Sequence, residues 1–110
     1  ILGLIGEVTV AIGAGTTPDL KVTSAPTVGT ATDVATDVVV ASDEIGTLYY
    51  VEGDGTALVP ISSGYAQMCL TMLVIPIGVL RIAASESTVG ATKWRCWYIP
   101  LADGASLVSA

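Results

Sequence analysis

The sequence predicts an all-β fold, an antiparallel β-sandwich of jelly-roll-like form. Val, Ile and Thr are abundant, and branching at Cβ favours strands over helices. About eight or nine short apolar runs are separated by Gly, Pro, Asp and Ser, and turn signals at roughly 8–12 residue spacing are typical of sandwiches and barrels. Helix signals are poor and heptads are absent. Because 110 residues is the size of one domain, we assign residues 1–110 to a single β-sandwich domain.

Five strands are predicted in the first half of the chain. In the first, EVTVAI, Val8, Val10 and Ile12 point to one face of the strand and Glu7, Thr9 and Ala11 to the other, so one face is expected to be buried. Pro26 follows the second strand, and the turn EGDG closes the fourth. Pro60 places the fifth at a sheet edge or a strand end, because proline cannot donate to the hydrogen-bond ladder. These strands are predicted at residues 7–12, 20–24, 31–42, 46–53 and 57–61.

The longest apolar run, residues 65–75, is predicted to be a buried strand. Its Ala, Gln, Met and Leu residues favour a helix, but Gly64 precedes the run and a β-branched stretch follows it. The charge-free stretch that contains it, residues 55–80, is interrupted by Pro60 and Pro76, so it is not a membrane span of about 20 apolar residues. We therefore expect no membrane association. Three further strands are predicted at residues 79–85, 92–100 and 106–109.

The chain carries few charges, and most of them are acidic. Charged residues make up 13% of the sequence, against about 25% in a typical soluble domain, so we expect a subunit interface to cover part of the surface. The net charge is −6, and the four cations form no basic stripe of the kind that neutralises phosphates. Nucleic-acid binding is therefore not expected. The cations are Lys21, Arg81, Lys93 and Arg95.

The sequence offers no set of residues for catalysis or for a cofactor. It contains no histidine, so a serine or cysteine nucleophile would lack its usual base and a zinc site would lack ligands. The glycine-rich residues 13–17 follow a strand, but Pro18 and Asp19 come next instead of the lysine and helix of a phosphate loop. Turn acids such as Glu52 and Asp54 are too few for calcium. We expect no enzymatic activity, no metal and no cofactor.

The two cysteines, Cys69 and Cys96, both lie within apolar runs. This is typical of buried thiols that pack as small hydrophobic groups. A disulfide would require their Cβ atoms to lie about 4 Å apart, and the sequence leaves both alternatives open.

The stretch TKWRCWYIP contains both tryptophans of the chain. In a strand, alternate side chains point to opposite faces, so Trp94, Cys96 and Tyr98 share one face, which we assign to the core. The other face mixes two cations with two large apolar groups, a composition that suits a contact between subunits. Stacking of a sugar on Trp97 is the alternative. The predicted interface residues are Lys93, Arg95, Trp97 and Ile99.

The end of the chain, VLRIAASESTVGATKWRCWYIPLADGASLVSA, resembles the end of small structural proteins of tailed bacteriophages. The front, GEVTVAIGAGTTPDLKVTSAPT, and the middle, DEIGTLYYVEGDG, are similar to such proteins as well. The resemblance implies a β-sandwich virion component without catalytic residues. It suggests a head decoration (cement) protein on the capsid surface, a homo-oligomer with a trimer as first expectation, bound to the major capsid protein or other virion proteins. The matching residues are Pro76, Gly78, Lys93, Trp94, Tyr98, Pro100, Leu101, Asp103, Gly104 and Ala105.

Two functions from different classes follow. The first is a structural virion protein that binds the capsid lattice and its own copies. The second is a carbohydrate- or receptor-binding module of a tail or neck fibre. A groove that exposes Tyr49, Tyr65 and Trp97 together would favour the second, and rings buried between subunits would favour the first.

Overall fold

The computed structural model describes residues 1–13, 18–62, 65–85 and 89–108, and these contain strands but no helix. The all-β prediction is confirmed, and no helix in the described ranges is long and apolar enough to cross a membrane. All strand neighbours within the two sheets pair antiparallel. The strands are β1 (Gly3–Val10), β2 (Asp19–Pro26), β3 (Thr32–Val39), β4 (Leu48–Tyr50), β5 (Val59–Ile61), β6 (Gly78–Ala84) and β7 (Ala91–Trp97).

The strands form two sheets that share one cluster of buried side chains. The four-stranded sheet has the order β5-β4-β1-β7, and the three-stranded sheet has the order β3-β2-β6. In β2 burial alternates with period two, as a sheet with one covered face requires. Both sheets therefore turn an apolar face to the same core. The buried members are Leu4, Val8, Ile12, Leu20, Val22, Ala35, Val40, Tyr49, Val51 and Leu58.

The two lateral sides of the fold differ. On the side of β3 and β5, Thr36 forms a parallel bridge with Ala57. The Thr36 amide donates to the Thr56 carbonyl at 3.1 Å, and the Leu58 amide donates to the Thr36 carbonyl at 3.2 Å. We call this the closed side. On the opposite side, β6 and β7 are the last strands of their sheets within the described residues, and we call it the open side.

The predicted strand at residues 65–75 is wrong, because this segment forms no regular strand. Its backbone instead binds the ends of other elements. The Cys69 amide donates to the backbone carbonyl of Leu2 at 2.9 Å. The Leu70 amide donates to the backbone carbonyl of Glu52 at 2.7 Å, and the Leu73 amide donates to that of Ile1 at 3.1 Å. The segment thus lies beside the start of β1 and the end of β4, and it is held by a few separate backbone hydrogen bonds, two of them exchanged between Ile1 and Leu73, instead of a regular ladder.

The C-terminal predictions also need correction. No strand occurs over residues 98–108, which include most of the predicted strand at 106–109, and residue 109 lies outside the described ranges. β7 ends at Trp97, so Tyr98 does not belong to the core face and is 41% exposed. The glycine-rich prediction at 13–17 falls mostly outside the described residues.

Candidate interaction surface

An aromatic pair fixes which face of β7 meets the core. Tyr49 and Trp94 are the register partners of Gly6 on its two sides. Their rings stack at a centroid distance of 6.3 Å and an interplanar angle of 17°, an arrangement that adds to the stabilisation from burial. The absence of a side chain at Gly6 makes room for the indole, since a Cβ there would lie 2.6 Å from Trp94 ring atoms. Trp94 and Cys96 consequently pack against the core cluster.

The phenol of Tyr49 and the indole of Trp94 both have hydrogen-bond partners. The fully buried Tyr49 hydroxyl donates to Asp43 Oδ2, and the Trp94 Nε1 donates to Thr92 Oγ1 at 2.9 Å. Burial, and then the hydrogen bond and charge of Asp43, raise the pKa of Tyr49 far above its ordinary value. Sequence reasoning missed this contact, because it joins a turn acid to the neighbouring strand β4.

The predicted interface residues of β7 lie on its outward face. Lys93, Arg95 and Trp97 are all exposed, and Trp97 retains 40% of its accessible surface. Ile99 is 51% exposed but lies two residues beyond the end of the strand, so β7 does not place it on that face. Three of the four residues are therefore brought together on one strand face.

The register extends this face across the four-stranded sheet. Arg95 lies opposite Ile5, which lies opposite Tyr50. Lys93 lies opposite Glu7. We call this surface the outer face. Its apolar side chains at β4 and β5 are half-buried or, at Tyr50, buried, and its cations at β7 are exposed. Its residues on the other strands are Ile5, Glu7, Leu48, Tyr50, Val59 and Ile61.

Three of the four cations have no ion pair among the residues that the structure describes. Within the described residues the one ion pair joins Lys21 and Asp33 at 3.4 Å. Lys93 and Glu7 are register partners, yet they form no ion pair there. Arg81, Lys93 and Arg95 are exposed and lie on β6 and β7, the two strands of the open side.

The rings proposed for sugar binding do not share one surface. Tyr65 is 64% exposed and Trp97 is 40% exposed, but Tyr49 is completely buried. The expectation that Tyr49 is exposed in a groove with Tyr65 and Trp97 is therefore wrong.

Within the described ranges, the acids and the cysteines form no cluster of metal-ligand type. The described ranges contain no group of three or more His, Cys, Asp or Glu side chains that could hold a metal ion. Cys69 and Cys96 are free, half-buried thiols that pack against the core cluster. Burial raises the pKa of both thiols, and the neighbouring Cys69 adds to the effect on Cys96. Both cysteines therefore pack as apolar groups.

No protein-family model, curated protein or solved structure matches this chain significantly. A function is therefore inferred from the residues and from this surface.

Proposed function

We propose that the protein is a non-enzymatic structural component that binds its own copies and a larger lattice. Specifically, it is a decoration (cement) protein on the capsid surface of a tailed bacteriophage, where it contacts the major capsid protein. The observation that carries the proposal is the outer face, where Arg95 and the exposed Trp97 of β7 lie on the same face of the sheet as Ile5 of β1 and, beyond β1, the apolar side chains of β4 and β5. Aromatic residues and arginine are enriched in protein interfaces and contribute much of their binding energy.

Exposed apolar side chains elsewhere support association. Leu70, Val74 and Leu101 are 68%, 72% and 71% exposed in a chain with few charges. Each Å² of apolar surface kept in water costs about 25 cal/mol, and contiguous patches of several hundred Å² mark interaction sites. A homo-oligomer, with a trimer as the first expectation, would cover part of this surface.

The fold proposed for this role is a jelly-roll-like β-sandwich. Two pairings support it, because β1 pairs with β7 in one sheet and β2 pairs with β6 in the other. Such nested pairing of first with last strands is what rolling up an antiparallel ribbon produces. The described strands number seven, whereas a jelly roll has about eight, and the β4–β5 hairpin lies beside β1.

A carbohydrate- or receptor-binding module of a tail or neck fibre is the second candidate. The exposure of Trp97 favours it, since sugars stack on exposed indoles. The burial of Tyr49 weighs against it, because a sugar-binding groove formed by Tyr49, Tyr65 and Trp97 requires all three rings to be exposed.

Sedimentation over a range of protein concentrations tests the proposal. We expect the wild type to self-associate and Trp97→Ser to weaken that association at least tenfold. Val28→Ser is the matched control, because Val28 is 90% exposed and lies in the turn between β2 and β3. The result would favour the fibre module instead if the wild type remained monomeric at high concentration and bound a glycan array while Trp97→Ser did not.

A further inference from the structure

We infer that the segment after β7 is an exchange arm, of which residues 99–101 dock in an apolar groove of a second copy. The groove lies where β2 ends and β3 begins. The inference rests on the proposed self-association and identifies one segment and one groove that meet. We call residues 98–108 the arm.

The arm presents apolar side chains to solvent and has no hydrogen bond to the rest of the described chain. All of its residues are exposed, and Ile99 and Leu101 keep 51% and 71% of their accessible surface. Its one hydrogen bond within the described residues is internal, from the Ala105 amide to the Ala102 carbonyl at 3.1 Å. Asp103 is its one charged residue, so the part before it is a neutral, apolar segment that gains from burial against another surface.

Pro100 prepares this neutral part of the arm for binding. The proline ring fixes its own φ at about −65° and restricts Ile99, the residue before it, to extended conformations. A segment that is already restricted loses less conformational entropy when it docks. Proline also has no amide hydrogen, so the groove need not supply an acceptor at that position.

The groove has an apolar wall and a volume of about 310 Å³. Its apolar lining consists of Pro26, Leu73, Val74, Ile75 and Pro76. Val74 is 72% exposed, whereas Leu73 packs against the core cluster. At about 30 Å³ for each water-sized group, the volume holds roughly ten such groups, which is the size of two or three aliphatic side chains. Residues 99–101 of an arm therefore match the groove in size and in apolar character.

The polar part of the groove offers a free hydroxyl and no free charge. Ser24 follows Leu20 and Val22 on the buried face of β2 and is 7% exposed, and its hydroxyl has no hydrogen-bond partner within the described residues. Asp33, the charged residue of the described lining, is paired with Lys21 at 3.4 Å. A buried hydroxyl without a partner is costly. A neutral segment whose backbone carbonyl accepts from Ser24 satisfies the hydroxyl and brings no charge into the groove.

Other exposed apolar side chains suit the groove less well. Ile45 is 69% exposed, but it follows the two acids at residues 43–44, for which the neutral groove has no cation. Val28 is 90% exposed, but it lies between residues 26 and 30, both of which line the groove itself. The arm remains as the neutral apolar segment without a place on its own chain. Because each copy offers one arm and one groove, the exchange is compatible with two-fold and with cyclic assembly.

Removal of the apolar contact from either partner tests the inference. We expect Leu101→Ser on the arm and Val74→Ser in the groove each to weaken self-association at least tenfold, measured by sedimentation over a range of concentrations. Because both changes remove the same contact, the double variant should be little weaker than either single variant. Leu107→Ser, on the arm beyond Asp103, and Val28→Ser, outside the groove lining, are the matched controls and should have much smaller effects. All four positions are exposed, so the core stays intact, and far-UV circular dichroism checks the folding of each variant.

A synthetic peptide of residues 98–108 shows where the arm binds. Added to the dissociated Leu101→Ser protein, it should shift the amide NMR signals of Ser24, Thr32 and Val74, which line the groove. The same peptide with Leu101→Ser should not shift them. Peptide shifts confined to other residues, no shifts at all, or a Leu101→Ser or Val74→Ser protein that associates like the wild type would each overturn the inference and leave the proposed self-association standing. A monomeric wild type would contradict both.

Discussion

Replacement of Gly6 by alanine tests the stacked pair at the centre of the four-stranded sheet. The added Cβ would lie 2.6 Å from Trp94 ring atoms, whereas carbon atoms in contact prefer about 3.5–4.0 Å. The indole must therefore move by about 1 Å away from the added methyl group. Overpacking of this kind costs about 1–3 kcal/mol, and the gain of alanine over glycine in a strand offsets about 0.5–1 kcal/mol of it.

The two ranges combine to a net loss of about 0–2.5 kcal/mol in the free energy of unfolding, and we expect Gly6→Ala to cost about 1 kcal/mol. Urea denaturation followed by far-UV circular dichroism measures this loss without depending on tryptophan fluorescence, which the substitution itself perturbs. Gly55→Ala is the control, because its Cβ would meet nothing within 4 Å and its cost comes from a positive φ of 82°.

A double-mutant cycle with Trp94→Leu isolates the clash. Because leucine leaves the space above Gly6, the cost of Gly6→Ala should shrink in that background by about 1 kcal/mol, within the range of couplings measured for residues in contact. The cost of Gly55→Ala should not change. If the cycle shows no coupling, the indole does not lie over Gly6 and our assignment of the two faces of β7 is wrong.

Three further predictions concern the same core. Trp94→Ala should cost about 3 kcal/mol, the low end of the range for large aromatic truncations, because its ring is only half-buried; a loss below about 1 kcal/mol in urea would contradict a core role. The protonated phenol of Tyr49, whose pKa is raised, stabilises the fold below the ordinary tyrosine pKa of about 10, and this contribution is lost as the pH rises above that value. The urea midpoint should therefore fall above about pH 10, and Tyr49→Phe should reduce this pH dependence. Cys69 and Cys96 should react slowly with iodoacetamide at neutral pH, because burial raises their pKa and keeps them protonated; labelling as fast as in the urea-unfolded chain would show that they are exposed.

The sequence was sufficient to predict strands where apolar and polar residues alternate and a proline or glycine marks the end. It failed for residues 65–75, because a continuous apolar run does not reveal whether a partner strand exists. It also failed for Tyr98. The Leu2 amide donates to the Trp97 carbonyl at 2.7 Å, and the paired part of β1 begins at Gly3 opposite Trp97, so β7 has no strand partner beyond that point.

The candidate surface was predicted only in part for a related reason. Alternation along β7 was sufficient to place Lys93, Arg95 and Trp97 on one face. The neighbours of that face depend on register between distant strands, such as the pairing of Arg95 with Ile5. The position of one strand beside another is a long-range property that periodicity within a strand does not contain.

The position of β1 has a consequence for how the protein is made. β1 is synthesised before the other described strands, yet one of its two neighbours is β7, the last of the described strands to be synthesised. Pairings between the ends of a chain are slow to form, and all-β proteins dominated by them fold in roughly milliseconds to seconds. We expect nascent chains that end before residue 91 to remain sensitive to protease, and chains that present β7 outside the ribosomal tunnel to become resistant. Protease resistance before β7 emerges would show that β1 and β4 form a stable unit by themselves.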